Sequence, residues 1–123
     1  MGDSVYSNEG RELYEETAEK LLSQNISLAL CETVTGGAVA AKLSRYPGIS
    51  AVFDRSVVVP EEKAQIDELS VPRKIFDEHT AFSPEAAEAL AEGLQRKTGC
   101  RMCVSVTGNA GPDFCDGVEP GTF

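Results

Sequence analysis

Short apolar runs that alternate with segments of helical periodicity limit what this chain can fold into. The runs are Ile26–Cys31, Ala51–Val59 and Met102–Val106, and each has the length and aliphatic content of a strand. Helix-like segments precede, separate and follow the first two runs. This alternation predicts an α/β domain of three layers, α/β/α, with a central sheet and helices on both of its faces.

The helical segments are marked by their apolar stripes and by capping residues. In the first of them, Leu13, Ala18 and Leu21 fall on one face while glutamates lie mostly opposite. Ser83-Pro84 is typical of a helix start, with a capping hydroxyl followed by proline at the first helical position. The predicted helices are Glu9–Gln24, Ala38–Arg45, Glu61–Leu69, Pro72–Glu78 and Ser83–Lys97.

The charge balance of the 123-residue chain argues against a nucleic-acid partner. It has 20 acidic side chains against 11 basic ones, a formal charge of -9, and the basic residues are scattered along the sequence. Its apolar runs are far shorter than the ~20 residues of a membrane span. Met1–Tyr6 has neither a basic start nor an apolar stretch, so we expect a cytoplasmic protein without a membrane partner.

The four cysteines are Cys31, Cys100, Cys103 and Cys115. Cys100 and Cys103 have the spacing of half a zinc site or of a redox pair, but a second such pair is lacking. A redox pair normally opens a helix, whereas this one leads into a predicted strand. Reduced thiols without a metal are therefore the preferred interpretation.

Two turns of small residues follow two of the predicted strands. Thr33-Val34-Thr35-Gly36-Gly37 leads into a helix, and Thr107-Gly108-Asn109-Ala110-Gly111-Pro112 follows the third strand. Ligands of open α/β sheets bind at the carboxyl ends of strands, where helix N–H groups attract anions and glycine allows close approach. We therefore expect a ligand to contact the residues Thr35, Gly36, Gly37, Thr107, Gly108, Asn109, Ala110 and Gly111. The alternative is a plain capped turn and a plain loop, neither of which binds a ligand.

These turns and three further segments resemble one family in the right order. Glu32–Gly37 is similar to the Glu-Ser-Cys-Thr-Gly-Gly motif of the CinA C-terminal domain family, and Thr107–Pro112 to its Thr-Gly-Ile-Ala-Gly-Pro. Pro47–Phe53, Glu78–Ser83 and Ala89–Gly93 continue the resemblance, which extends over about residues 10 to 123. It implies a flexible start at residues 1–8 and one domain over 9–123. Since a further strand and helix follow in the family, we expect these to be missing after Gly121–Phe123.

The resemblance also implies a reaction. The family hydrolyses the carboxamide of nicotinamide mononucleotide, using a serine nucleophile that a lysine and a tyrosine activate, with no metal or organic cofactor. The family serine falls on Thr33, its tyrosine on Pro60 and its lysine on Gln65. All three catalytic positions are therefore changed in this chain.

The changes leave several functions open. Thr33 keeps a hydroxyl, but Gln65 cannot take its proton, and Lys63 lies about 200° around the helix from Gln65. One hypothesis is an amidohydrolase with Thr33 as a substituted nucleophile. A second is an impaired relative that binds a nucleotide or serves in assembly, and a third is a structural remnant. We expect an impaired enzyme-like domain, a nucleotide resembling nicotinamide mononucleotide as its ligand, and a homo-oligomer.

Overall fold

The computed structural model of the chain describes residues 12–111 and 117–123. The expected flexible start at residues 1–8, the Pro112 end of the second turn and Cys115 lie outside the described residues. The described elements are α1 (Leu13–Ser23), β1 (Leu28–Glu32), α2 (Ala38–Leu43), β2 (Phe53–Val58), α3 (Glu62–Leu69), α4 (Arg73–His79), α5 (Pro84–Thr98) and β3 (Met102–Val106).

The predicted order of elements is confirmed, with shifts at two strand starts. β1 begins at Leu28 rather than Ile26 and continues to Glu32. The second strand was predicted from Ala51, but Ile49–Ala51 forms a short 3-10 turn and β2 begins at Phe53. Gly48 enters that turn with a φ of 84°, a left-handed conformation that glycine adopts without strain.

The three strands form one parallel sheet in the order β2-β1-β3. Glu32, the last residue of β1, is level with Val58 of β2 and Val106 of β3. Because the strands are parallel, their carboxyl ends meet at one edge, which we call the carboxyl edge. α2 begins just after β1 at this edge, so the expected placement of the first glycine turn is confirmed.

Helices cover both faces of the sheet. Ala29 and Cys31 of β1 belong to the core cluster beneath α3, α4 and α5, which includes Leu90 of α5. Leu28 and Leu30 face the opposite cluster, which α1 and α2 supply with their own apolar residues. The side chains of a strand alternate between the two faces, so the short central strand joins two cores in a three-layer arrangement.

α5 is positioned by a cap and by a close helix contact. The Ser83 hydroxyl accepts a hydrogen bond from the Ala86 N–H at 3.1 Å, as its Ser-Pro start predicts. Farther along, an ideal Cβ on Gly93 would lie 2.2 Å from the carbonyl oxygen of Leu69, the last residue of α3. Only glycine allows α5 to lie this close to α3.

The residues at the chain's C-terminal end lie against the second turn. Thr122 pairs with Asn109 in an isolated antiparallel bridge, which lies outside the three strands of the described sheet. Within residues 12–111 and 117–123, no helix is both long and apolar enough to cross a membrane.

Candidate functional site

The carboxyl edge brings together the residues that the sequence singled out on separate segments. Thr33 follows β1, Val59 and Pro60 follow β2, and Thr107 follows β3. A backbone hydrogen bond joins two of these strand ends: the Val59 N–H donates to the Glu32 carbonyl at 2.9 Å. β1 is the central strand, so the first turn lies between the ends of the other two.

A buried carboxylate organises the first turn. Glu32 has no exposed surface, and each of its oxygens accepts two hydrogen bonds. Oε1 accepts the Thr35 hydroxyl at 2.7 Å and the Val39 N–H at 2.9 Å. Oε2 accepts the Ala40 N–H at 2.9 Å and the Ser56 hydroxyl at 3.3 Å. The side chain thus connects the ends of β1 and β2 to the start of α2.

The electrostatics of Glu32 follow from these bonds. Burial works against its ionisation, but the hydrogen bonds from Thr35, Ala40, Val39 and Ser56 together hold the pKa of the carboxyl below its usual value. The ionised carboxylate then caps the first turn of α2, where free N–H groups favour negative charge. Two N–H groups of α2 are therefore already paired with an anion of the protein itself.

Thr33, at the position of the family serine, has its hydroxyl bonded to the backbone. The side chain is almost fully buried, and Oγ1 donates to the Val106 carbonyl at 3.0 Å. The Thr33 N–H donates to the same carbonyl at 3.1 Å. A backbone carbonyl accepts a hydrogen bond but does not remove a proton at neutral pH, so this contact ties β1 to β3 without activating the hydroxyl.

Gln65, at the position of the family lysine, is 2% exposed in α3. Its Nε2 donates to the Val59 carbonyl at 3.0 Å. Its Oε1 is buried and has no hydrogen-bond partner among the described residues. Pro60, at the position of the family tyrosine, is exposed and has no side-chain proton to donate.

Lys63 is the nearest lysine to Gln65 in sequence, and it is engaged elsewhere. Its side chain is 86% exposed and its Nζ lies 2.8 Å from Oδ2 of Asp67. The hydrogen bond that Lys63 donates to Asp67, followed by the negative charge of Asp67, raises the pKa of Lys63. A higher pKa keeps the ammonium protonated, so Lys63 is a poor candidate for the missing base.

The glycine turn itself is open on its outer side. Gly36 and Gly37 have φ angles of 61° and 103°, in the left-handed region that favours glycine. Gly36 is exposed, and an ideal Cβ there would meet nothing within 4 Å. Within the described part of the chain, the N–H groups of Val34, Thr35 and Gly37 donate no hydrogen bond.

The second turn uses its polar groups within the protein. The Thr107 hydroxyl donates to the Ala81 carbonyl at 2.7 Å. Asn109 donates through Nδ2 to the Val118 carbonyl and accepts the Gly111 N–H through Oδ1, both at 2.9 Å. An ideal Cβ on Gly108 would lie 2.3 Å from the Thr122 carbonyl oxygen. Ala110 is exposed. The contacts of Gly108 and Asn109 show that the turn packs against the segment 118–122.

The three cysteines of the described segments are free thiols. Burial, and then the charge of Glu32, raises the pKa of Cys31 to about 12. Cys100 is also buried, and Cys103 is half-buried, with its sulfur 3.8 Å from the Thr98 hydroxyl. Nowhere in residues 12–111 and 117–123 do three or more His, Cys, Asp or Glu residues come together as a metal site.

The sequence did not single out Glu32 as a site residue, although the signal was present. An acidic residue that ends an apolar, buried strand needs partners, since an isolated buried carboxylate is strongly unfavourable. The glycine turn and the helix that follow it are where those partners lie.

Comparison with known proteins identifies one family. The family model described as CinA C-terminal domain matches residues 10–123. Two curated relatives are named CinA-like protein. The one from Dictyoglomus turgidum is 36% identical over 113 residues, covering 92% of this chain and 28% of that protein. The one from Dictyoglomus thermophilum is 38% identical over 114 residues, with the same coverage of both chains.

Solved structures of similar fold come from the same superfamily. The competence damage-inducible protein A (ComA) from Klebsiella pneumoniae superposes with a TM-score of 0.83 at 28% identity, covering 88% of this chain and 67% of that one. The chain therefore spans less than a third of the length of the curated relatives that it matches, and about two thirds of this solved structure.

Proposed function

Since the chain belongs to the CinA C-terminal domain family, we propose that it binds a nicotinamide nucleotide at the carboxyl edge and hydrolyses its carboxamide little above background. The ligand class follows from the family resemblance, in which the substrate is nicotinamide mononucleotide. The impairment follows from the residues at the edge. A single observation carries it: the Thr33 hydroxyl donates its proton to the backbone carbonyl of Val106, which is not a base.

The first turn supports the binding half of the proposal. Three N–H groups, of Val34, Thr35 and Gly37, are without a partner in the described part of the chain, next to an exposed glycine. Consecutive N–H groups in a turn form a concave site for anions such as phosphate. Val34 and Thr35 are consecutive, whereas the N–H of Gly36, between Thr35 and Gly37, donates to the Thr33 carbonyl at 3.3 Å. The Glu32 carboxylate pairs with the α2 N–H groups instead, so the turn and not the helix is the proposed phosphate contact.

The neighbours of Thr33 support the catalytic half. Hydrolysis of an amide requires a group that takes the nucleophile's proton and a group that protonates the leaving amine. The Gln65 amide does neither at neutral pH, and Pro60 has no proton to give. Lys63 is paired with Asp67 at the surface. A hydroxyl without its base loses most of its reactivity, by a factor of up to about a million in a well-studied hydrolase.

The test measures binding and turnover separately. We expect isothermal titration calorimetry to detect nicotinamide mononucleotide binding, while ammonia release by the same protein stays near background. Thr33→Ala is the control that removes the hydroxyl, and Thr33→Ser is the matched variant that keeps it. If the unmodified chain releases ammonia at a robust rate and Thr33→Ala abolishes it, another base has been recruited and the proposed impairment is wrong.

Restoring the family residues gives the reciprocal test. Thr33→Ser, Pro60→Tyr and Gln65→Lys together are expected to raise the rate of ammonia release well above that of the unmodified chain. Gln65→Lys alone is expected to do less, because nucleophile and base act as a unit. A triple variant that folds and binds the nucleotide but gains no activity would contradict the assignment of these three positions.

A further inference from the structure

Gln65 leaves a buried acceptor without a donor. The residue is 2% exposed, and Oε1 has no partner among the described residues. Buried side-chain oxygens in native proteins nearly always have a partner, and one that lacks a partner destabilises the folded state. An unpaired acceptor in this position therefore has a strong preference for a donor that binds there.

The orientation of the Gln65 amide is fixed by its other end. Nε2 lies 3.0 Å from the Val59 carbonyl, and exchanging the two ends would set oxygen against oxygen. The nitrogen therefore faces Val59, and the end that faces away from Val59 is an acceptor only. Any group that meets this end must bring a hydrogen.

The acceptor belongs to the carboxyl edge. Val59, which holds the Gln65 amide, donates its own N–H to the Glu32 carbonyl at 2.9 Å. Glu32 immediately precedes Thr33, whose hydroxyl is tied to the end of β3. Gln65 is thus linked by two consecutive hydrogen bonds to the strand end from which the glycine turn begins.

We propose that Oε1 of Gln65 accepts a hydrogen bond from the primary carboxamide of the bound nucleotide, and that it thereby selects the amide over the corresponding acid. The inference rests on the proposed function, because it assumes that a pyridine nucleotide occupies the carboxyl edge. A carboxamide offers two N–H donors. A carboxylate offers oxygens alone, which leaves Oε1 unpaired and adds repulsion between acceptors. Gln65 is therefore a specificity-determining residue.

The burial of Oε1 adds a requirement. The atom has no contact with solvent in the free chain, so the carboxamide reaches it only when the residues that cover it are displaced. The amide supplies a hydrogen bond that the free protein lacks, and this bond offsets part of the free-energy cost of displacing those residues. The acid supplies no such bond, and this difference sharpens the selection.

The experiment compares two nucleotides that differ only in this group. We expect isothermal titration calorimetry of the unmodified chain to show that nicotinamide mononucleotide binds at least about tenfold more tightly than nicotinic acid mononucleotide. A tenfold difference in affinity is what one hydrogen bond of ordinary strength contributes. Gln65→Met has a similar shape without the acceptor, and we expect it to reduce the ratio to near one.

A matched control is available in α5. Gln95 also donates its Nε2 to a backbone carbonyl, that of Cys100 at 3.2 Å, at the end of the molecule opposite the carboxyl edges of the strands. Gln95→Met is expected to leave the ratio between the two nucleotides unchanged. Urea denaturation of each variant, with and without nucleotide, checks that loss of selectivity is not loss of folding.

The outcomes separate this inference from the proposed function. If the unmodified chain binds both nucleotides equally, the role of Gln65 is overturned while nucleotide binding stands. If the unmodified chain prefers the amide and folded Gln65→Met keeps that preference, the inference is again overturned, because a group other than Gln65 then distinguishes the amide from the acid. If neither nucleotide binds, the proposed function fails, and the inference fails with it.

Discussion

Replacing Glu32 by glutamine tests whether the buried carboxylate organises the carboxyl edge. The substitution keeps the shape of the side chain and removes its charge. Each carboxylate oxygen accepts one backbone N–H and one hydroxyl. A glutamine amide has one oxygen and one NH2 group. The oxygen can accept from one N–H and one hydroxyl as before, but the N–H and the hydroxyl on the other side then face the NH2 group, which is itself a donor.

The magnitude follows from which donors can adapt. The hydroxyl of Thr35 or Ser56 can rotate and accept instead, but the N–H of Val39 or Ala40 is fixed by the helix. One buried N–H therefore loses its acceptor, which costs about 1–3 kcal/mol. Losing the negative charge at the start of α2 adds about 0.3–1 kcal/mol. We expect Glu32→Gln to lower the free energy of unfolding by about 1–4 kcal/mol in total, a large part of the roughly 5–15 kcal/mol typical of a domain.

The pH dependence of this loss has a definite sign. The folded pKa of Glu32 is lowered, so its ionisation stabilises the fold at pH values above the unfolded pKa of about 4.3. That contribution is lost as the pH falls through the lower, folded pKa. The stability gap between the unmodified chain and Glu32→Gln is therefore expected to be constant near neutral pH and to narrow in acid below about pH 4.

Urea denaturation followed by circular dichroism, at pH 7 and at a series of acidic pH values, measures both effects. Glu88→Gln is the matched control, because Glu88 is exposed on α5 and is expected to change stability by less than about 0.5 kcal/mol. A Glu32→Gln variant as stable as the unmodified chain at pH 7 would refute the reasoning. So would a stability gap of undiminished size in acid, since the effect would then not come from the charge.

Two further predictions concern packing and assembly. Gly93→Ala is expected to destabilise the fold by about 1–3 kcal/mol in urea denaturation, because the alanine Cβ would overlap the Leu69 carbonyl. This loss is expected despite the better helix propensity of alanine. Equal or higher stability of the variant would show that α5 can move away from α3 without cost. Met102 and Val104 are 42% and 39% exposed on β3, an edge strand of the described sheet. Light scattering is therefore expected to show self-association of the chain, and Val104→Lys is expected to weaken it. A stable monomer at high protein concentration would contradict this prediction.

The architecture was largely predictable because it depends on local patterns. Apolar runs of strand length and amphipathic helical segments fix which face of each element is buried, whatever surrounds it. The caps are local too, as the Ser83 start of α5 illustrates. The starts of β1 and β2 were less predictable, since Ile26 and Ala51 are apolar but lie outside the strands, Ile26 in the connection between α1 and β1 and Ala51 in the short 3-10 turn.

The placement of the candidate segments at the carboxyl edge was predictable from the order of the elements, but the hydrogen bonds of their side chains were not. The sequence places Thr33 and Gln65 at the edge through the family resemblance, but their partners depend on which backbone groups the fold leaves nearby. Thr33 bonds to a carbonyl 73 positions away, a contact that exists only because β3 lies beside β1. Glu32 was missed for the same reason, since one of its four donors comes from Ser56 on the neighbouring strand.

These bonds share a feature that links stability to the proposed loss of activity. The Thr33 hydroxyl and the Gln65 amide each donate to the backbone carbonyl at the end of a neighbouring strand or just beyond it. A lysine at position 65 would bring a charge that needs compensation in this buried place, whereas the neutral amide needs only the Val59 carbonyl. At the carboxyl edge, the groups without a hydrogen-bond partner among the described residues include the turn N–H groups, which suit an anion, and Gln65 Oε1, which suits an amide donor. A ligand that carries a phosphate at one end and a carboxamide at the other would complement both, so the substitutions at the family's catalytic positions are compatible with the proposed binding of an intact nucleotide.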